Sequence, residues 1–451
     1  TTIFKEGTWG ASGLKYLTAD VTTADGETLH FVAAVVNLLI DPSGIVTDTN
    51  GDPLAGVTVY CQVWKDNQWV NFDAENYGQV NPQVTDESGR YGWMVPEGKY
   101  RILAVKEGSE NSGKVKALVS YTGYDANQIN NVSYYASLIN NSSSPLYNRA
   151  TQQTLAPGST FKPISAIAGL EEGVIDADTY ITDYVEYTKV VPHANCWNSA
   201  GHGTINVEQA IEYSCNYFFY EVGYRLGSKN NTTELSDSTG LALLAKYAKM
   251  FGLDSVSGLE LPETTPRISD ESVVRSAIGQ ATHNYTAAEL ARYVTAIANS
   301  GNLYQLSVLD KITDSEGTVL EENEPKLTNQ IELKQSTWDM VHTGMYKVCN
   351  ESSYRSQMGG LKVTLAGKSG TAQVSEKLPN HGLFIGYAPY ENPEVAATLI
   401  IPNGHGSSNV LDLYADMMCY YFGVPAKNAS DDSSGSTTRT ANIPDQNIQA
   451  D

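Results

Sequence analysis

Ser159-Thr160-Phe161-Lys162 sets a hydroxyl and an amine three positions apart. A serine hydroxyl is a weak nucleophile at neutral pH and needs a base beside it. On a helix, a spacing of three puts both side chains on one face about one turn apart. There a lysine kept neutral by burial and cationic neighbours can take the proton. The surrounding residues predict a helix start: Pro157-Gly158 turns the chain, and Pro163 falls in the first turn, where a missing N–H costs little. Phe161, Ile164, Ile167, Ala168 and Leu170 then supply an apolar face. A helix N-terminus also directs free N–H groups at an oxyanion formed on Ser159. Ser12-Gly13-Leu14-Lys15 repeats the spacing, but in glycine-rich β-type sequence without this context, and reads as a surface strand or turn.

Two further elements could complete such a site. Ser-x-Asn occurs at Ser109, Ser214, Ser228, Ser300 and Ser407. Only Ser214-Cys215-Asn216 lies in a helical run, NVEQAIEYSCNYFFYEVGY, where small or polar residues interrupt an apolar face. Buried hydroxyl and amide groups need partners, so this cluster is either satisfied structurally or used to shuttle a proton and hold a substrate. Cys215 reads as a packed small residue, since no neighbouring histidine supplies a base. Lys368-Ser369-Gly370-Thr371 follows an alternating run and precedes Ala372-Gln373-Val374, as a strand bordering a site would. Gly370 would admit a substrate backbone, while Lys368, Ser369 and Thr371 offer a cation and hydroxyls suited to a carboxylate.

The elements that must position these groups follow from pattern and composition. The 451 residues, 41% hydrophobic and 18% charged, suit a folded chain of two or three domains. A net charge of -22 with no basic block makes nucleic acid and anionic membrane poor partners. Residues 1–108 alternate apolar and polar around turns such as Asn50-Gly51, which predicts a hairpin within a small antiparallel β-sandwich. Residues 109–425 mix helices (SAIAGLEEG, VEQAIEYSCNYFFYEVGYRLG, AAELARYVTAIANSG) with short alternating strands (KVTLAGKSGTAQV, LFIGYAP, EVAATLIIP), and VLDLYADMMCYYFG closes them as an amphipathic helix. Residues 426–451 are polar and predict a flexible tail.

Five widely spaced cysteines with no C-x-x-C, and seven histidines with no His-Glu-x-x-His, argue against a metal centre; no cofactor is expected. His202 in Gly-His-Gly and His405 in Asn-Gly-His-Gly are candidates to line the cleft. The longest apolar run, residues 30–40, falls short of the roughly 20 residues that cross a bilayer. The start at Thr1, without a leader, suggests a trimmed form whose export or anchor segment is not shown.

Ser-x-x-Lys, Ser-x-Asn and Lys-Ser-Gly in this order are the set carried by penicillin-binding proteins and serine β-lactamases. Residues 113–423 resemble the transpeptidase domain of class B penicillin-binding proteins, through LVSYTGYDAN, SPLYNRATQQTLAPGSTFKP, GHGTINVEQAIEYSCNYFF, AIGQATHNYTAAELARYVTAIANSGN and AGKSGTAQ. The first hundred residues resemble a prealbumin-like, carboxypeptidase-regulatory type of Ig-like module. The resemblance implies an α/β (α+β) domain with an antiparallel sheet and a helical subdomain, acting on D-Ala-D-Ala stem peptides of peptidoglycan and acylated by β-lactams.

It also implies roles. Ser159 would be the nucleophile and Lys162 its base, with Ser214 and Lys368 relaying the proton and Asn216 holding the substrate amide. The Ser159 and Thr371 N–H groups would form the oxyanion hole, Ser369 and Thr371 would take the terminal carboxylate, and Gly370 and Gln373 would border the substrate. It implies an extracytoplasmic, membrane-anchored enzyme working with cell-wall synthesis machinery. A compact β-module stands where the family often has a longer pedestal. The chain lacks the Glu-x-x-Leu-Asn run of a class A β-lactamase, and no glycosyltransferase sequence precedes the domain. A carboxypeptidase, a β-lactam hydrolase or a non-catalytic sensor on the same fold is the alternative.

Overall fold

The structure, a computed structural model, describes residues 113–229, 234–315, 317–373 and 378–426 without interruption. Ahead of these it describes 7–8, 16–22, 28–34, 43–46, 53, 55, 57–65, 68–93, 95–96 and 99–106. Contacts divide the chain into two compact units, Thr1–Glu110 and Asn111–Asp451.

In the first unit every described strand pair is antiparallel. Val57–Lys65 is the spine, pairing with Lys99–Lys106 along one edge and with Gln68–Asn71 and Gln83–Val84 along the other. Its alternation is the one the sequence shows: Val57, Val59 and Cys61 point into a core with Phe72, Ala74, Trp93 and Val95. The Asn50-Gly51 turn lies outside the described residues, as do Ser12–Lys15 and residues 427–451. Among the described residues ahead of that turn, Gly44–Ile45 pairs with Arg90–Tyr91.

The second unit is built on a buried helix, α1 (Lys162–Glu171), with every position from Lys162 to Leu170 inside. It packs against α3 (Asn216–Gly227) and α5 (Gln335–Asn350), and α5 covers α2 (Val207–Glu212). Local signals place these elements. Asn206 and Gln209 form a capping box at the start of α2, and Thr286 and Glu289 do the same for α4 (Ala287–Ala298).

The sheet is three antiparallel strands, β1 (Ala366–Ala372), β2 (His381–Ala388) and β3 (Val395–Ile401), in that order. Tyr390-Glu391-Asn392-Pro393 lies in the β2–β3 connection, as its turn chemistry predicts. The alternation expected of β2 is absent, since every residue from Gly382 to Ala388 is buried. Both faces are covered, and α4 and α6 (Ser408–Tyr421) pack on β2 and β3. Among the described residues no helix is long and apolar enough to cross a membrane.

Candidate active site

Ser159 sits in a tight 3-10 turn, Gly158–Phe161, that runs into α1 at Lys162. In this geometry residues three apart eclipse one another, so Ser159 and Lys162 share a face as their spacing predicts. The α-helix itself begins three residues later than the sequence suggests, with Pro163 inside its first turn. Three glycines let the turn fit. A Cβ on Gly279 would lie 1.9 Å from the Gly158 carbonyl oxygen, one on Gly158 2.6 Å from that of Thr371, and one on Gly370 2.7 Å from the Thr160 methyl. Gly370 therefore admits the nucleophile's own turn, where the sequence suggested a substrate backbone. The Ser159 turn and β1 are thereby pressed together along Thr371.

Lys162 is fully buried, and its Nζ donates to three acceptors of a single turn: the Ser214 carbonyl at 2.7 Å, the Ser214 hydroxyl at 3.1 Å and Asn216 Oδ1 at 2.7 Å. Burial pulls its pKa down to about 8. Ser214 lies outside any helix, contrary to the run predicted across it. α2 ends at Glu212, Ser214 adopts a left-handed φ of 54°, and Cys215 caps α3 through its sulfur. A continuous helix would carry the 214–216 side chains past Lys162 on successive faces; the break gathers them on it.

Lys368 is also fully buried, donating to the Ser369 carbonyl at 3.0 Å and hydroxyl at 3.3 Å. Burial first, and the nearby Lys162 second, push its pKa well below the usual lysine range. Ser159, Ser214, Asn216, Ser369, Thr371 and Gln373 all line one cleft of about 930 Å³, with the two lysines buried in the same constellation. His202 lines this cleft as well, whereas His405 is exposed and lies outside its lining.

A family model of the penicillin-binding protein transpeptidase domain matches residues 109–418. The chain belongs to this family. Among curated proteins, the transpeptidase domain is similar to the peptidoglycan D,D-transpeptidase MrdA of Haemophilus influenzae, 31% identical over 68% of the chain and 51% of that protein. It is similar too to MrdA of Escherichia coli K12, 28% identical over 65% of the chain and 50% of that protein. The chain spans about half the length of these curated relatives. Among solved structures, PBP2 of Pseudomonas aeruginosa superposes with a TM-score of 0.59 at 26% identity, covering 69% of this chain and 71% of that one. Penicillin-binding protein A of Mycobacterium tuberculosis, an imipenem acyl-enzyme complex, gives 0.60 at 23% identity over 69% and 71%, a likeness of fold.

The transpeptidase domain also gathers a group that the sequence does not announce. Asp183, Cys196, His202 and Cys215 bring one donor atom each to within 4.8 Å of one another. Cys196 Sγ lies 3.9 Å from Cys215 Sγ and 3.5 Å from His202 Nδ1, and Cys215 Sγ lies 3.4 Å from Asp183 Oδ2. Cys215 is fully buried, as a packed residue would be, and it also sits beside Cys196 and Asp183 in a group that the sequence does not bring together. Hydrogen bonds donated by Cys215 and His202 hold Cys196 below the usual thiol range, while the bond to Cys196 and burial push Cys215 up. Asp183, although burial opposes it, is held low by His202 and the Val185 N–H. The three sulfur distances match the edges of a tetrahedron whose bonds are about 2.0–2.3 Å long, while His202 Nδ1 and Asp183 Oδ2, 2.7 Å apart, stand at hydrogen-bond distance; the donor types are those that suit zinc. With all four positions taken by protein, such an ion would tie loops together and leave no position for substrate. No spacing rule reveals this group, because its donors come from three separate stretches of chain.

Proposed function

We propose that this chain is a class B peptidoglycan D,D-transpeptidase that cross-links stem peptides through a Ser159 acyl-enzyme and is acylated there by β-lactams. The observation that carries this reading is the buried Lys162 amine, held by Ser214 and Asn216 beside the serine turn that opens on the cleft.

A neutral lysine has two N–H bonds and one lone pair. The Ser214 carbonyl and Asn216 Oδ1 can only accept, so they take the two N–H bonds and leave the lone pair to a hydroxyl. Ser159 Oγ loses its proton to that lone pair as it attacks the penultimate D-Ala carbonyl carbon. The Ser159 and Thr371 N–H groups, on segments the glycines bring together, stabilise the oxyanion. The C–N bond then breaks, and the proton passes from Lys162 through Ser214, with Lys368 close by, to the departing D-Ala amine. Ser369 and Thr371 hold the terminal carboxylate, and Gln373 borders the peptide. An amine of a second stem peptide attacks the ester, restores the Ser159 hydroxyl and leaves a new amide.

The same reading places the enzyme outside the cytoplasm, anchored and working with cell-wall synthesis machinery. It assigns residues 1–108 to an Ig-like module, 109–425 to the transpeptidase domain and 426–451 to a tail. The test is labelling with a fluorescent penicillin followed by intact-mass analysis. One adduct on the wild type and none on Ser159→Ala are expected; an adduct that survives Ser159→Ala would overturn the proposal. Product analysis with an added amine acceptor separates cross-linking from hydrolysis.

A further inference from the structure

We propose that Trp197 is a positioning residue for acylation, fixing the Ser214 carbonyl that Lys162 also uses. The inference rests on the acyl-transfer reading above. The Trp197 indole Nε1–H donates to the Ser214 carbonyl at 3.0 Å, and Lys162 Nζ donates to the same oxygen at 2.7 Å. One acceptor therefore joins a flexible amine to a rigid, planar donor.

Ser214 needs such a hold. It stands in the gap between α2 and α3, outside both helical ladders, with a left-handed φ that non-glycine residues rarely adopt. Its own N–H reaches back to the Ile211 carbonyl, and no helix fixes the direction of its C=O. During the reaction Lys162 alternates between two and three N–H bonds, so it cannot by itself keep that carbonyl still. The indole N–H does not change its protonation. The His202 ring meets the Trp197 ring edge-on at 5.2 Å and limits its rotation.

An exposed tryptophan in a cleft is ordinarily a wall for ligand, and Trp197, 63% exposed, also lines this one. The bond to Ser214 distinguishes the two roles. A wall acts on the binding of substrate before reaction, whereas a residue that fixes Ser214 acts on the bond-making step, where small misplacements of reacting groups slow chemistry steeply.

The experiment measures single-turnover acylation by a chromogenic penicillin over a range of concentrations, which separates the pre-acylation dissociation constant from the acylation rate constant. Trp197→Phe keeps a ring and removes the donor. The acylation rate constant should fall about tenfold or more, while the dissociation constant stays within about twofold and the melting temperature within about 2 °C. Replacing Trp197 with benzothienylalanine, which exchanges the indole N–H for sulfur at almost unchanged shape, should give the same fall and keeps the test decisive if the phenylalanine variant folds poorly. An unchanged rate constant in the benzothienylalanine protein, or a change confined to the dissociation constant, would overturn the inference and leave the acyl-transfer reading intact. A wild type that forms no adduct would sink both.

Discussion

Lys162 shows how a residue common on protein surfaces becomes a base. Its amine bonds to groups of one turn, lies over the Phe219 ring and is otherwise surrounded by a low-dielectric interior, and burial lowers its pKa to about 8. The neutral form is the reactive one, so acylation should speed up as pH rises through about 8 and fall about tenfold per unit below it. Rates measured from about pH 6 to 9 check this; a flat profile over that range would remove Lys162 from the role of base. At this scale the sequence was informative where function is local. Ser159 with Lys162, and Lys368 with Ser369, are neighbours on the chain, and their spacing carries over into space. The depression of Lys368 was not legible, because it comes from burial and from a cation far away in sequence.

The elements matter through how closely they approach. Gly279→Ala would drive a methyl group into the Gly158 carbonyl at a φ of 76°. We expect it to abolish penicillin labelling and lower the melting temperature by several degrees. Gly173 is the control: its φ is 68° but nothing lies within 4 Å, so Gly173→Ala should cost only about 1–2 kcal/mol and leave the labelling rate unchanged. The Asp183, Cys196, His202 and Cys215 group ties the loop before α2 to the 214–216 turn. Protein prepared without chelator is expected to carry one equivalent of zinc by elemental analysis, and a strong chelator should lower its melting temperature. Equal melting with and without chelator would show that the thiols and carboxylate hold the loops unaided. Helices were legible wherever an apolar period ran uninterrupted, as in α4. The break at Ser214 was not, since Ile211, Phe218 and Phe219 continue the apolar face across it while the backbone reverses hand between them. The identical Ser-x-x-Lys at Ser12 is set apart by its glycine-rich, β-type surroundings and by the lack of a helix start behind it.

The whole molecule has separate interiors. The large core runs from Leu155 to Met418, while Val57, Val59, Cys61, Phe72, Ala74, Trp93 and Val95 make a core of their own. Each unit buries what it needs from its own stretch of chain. A protein of residues 111–426 should therefore fold and label with penicillin at the rate of the full chain. A loss of labelling in a well-folded fragment would show that the first unit shapes the cleft. The two buried lysines have a consequence for the proposed reaction as a cycle. The proton that leaves Ser159 departs on the first product, and the incoming amine supplies its replacement, so each turnover starts and ends with the same count. Two amines sealed from solvent can serve such a closed circuit without exchanging with the medium.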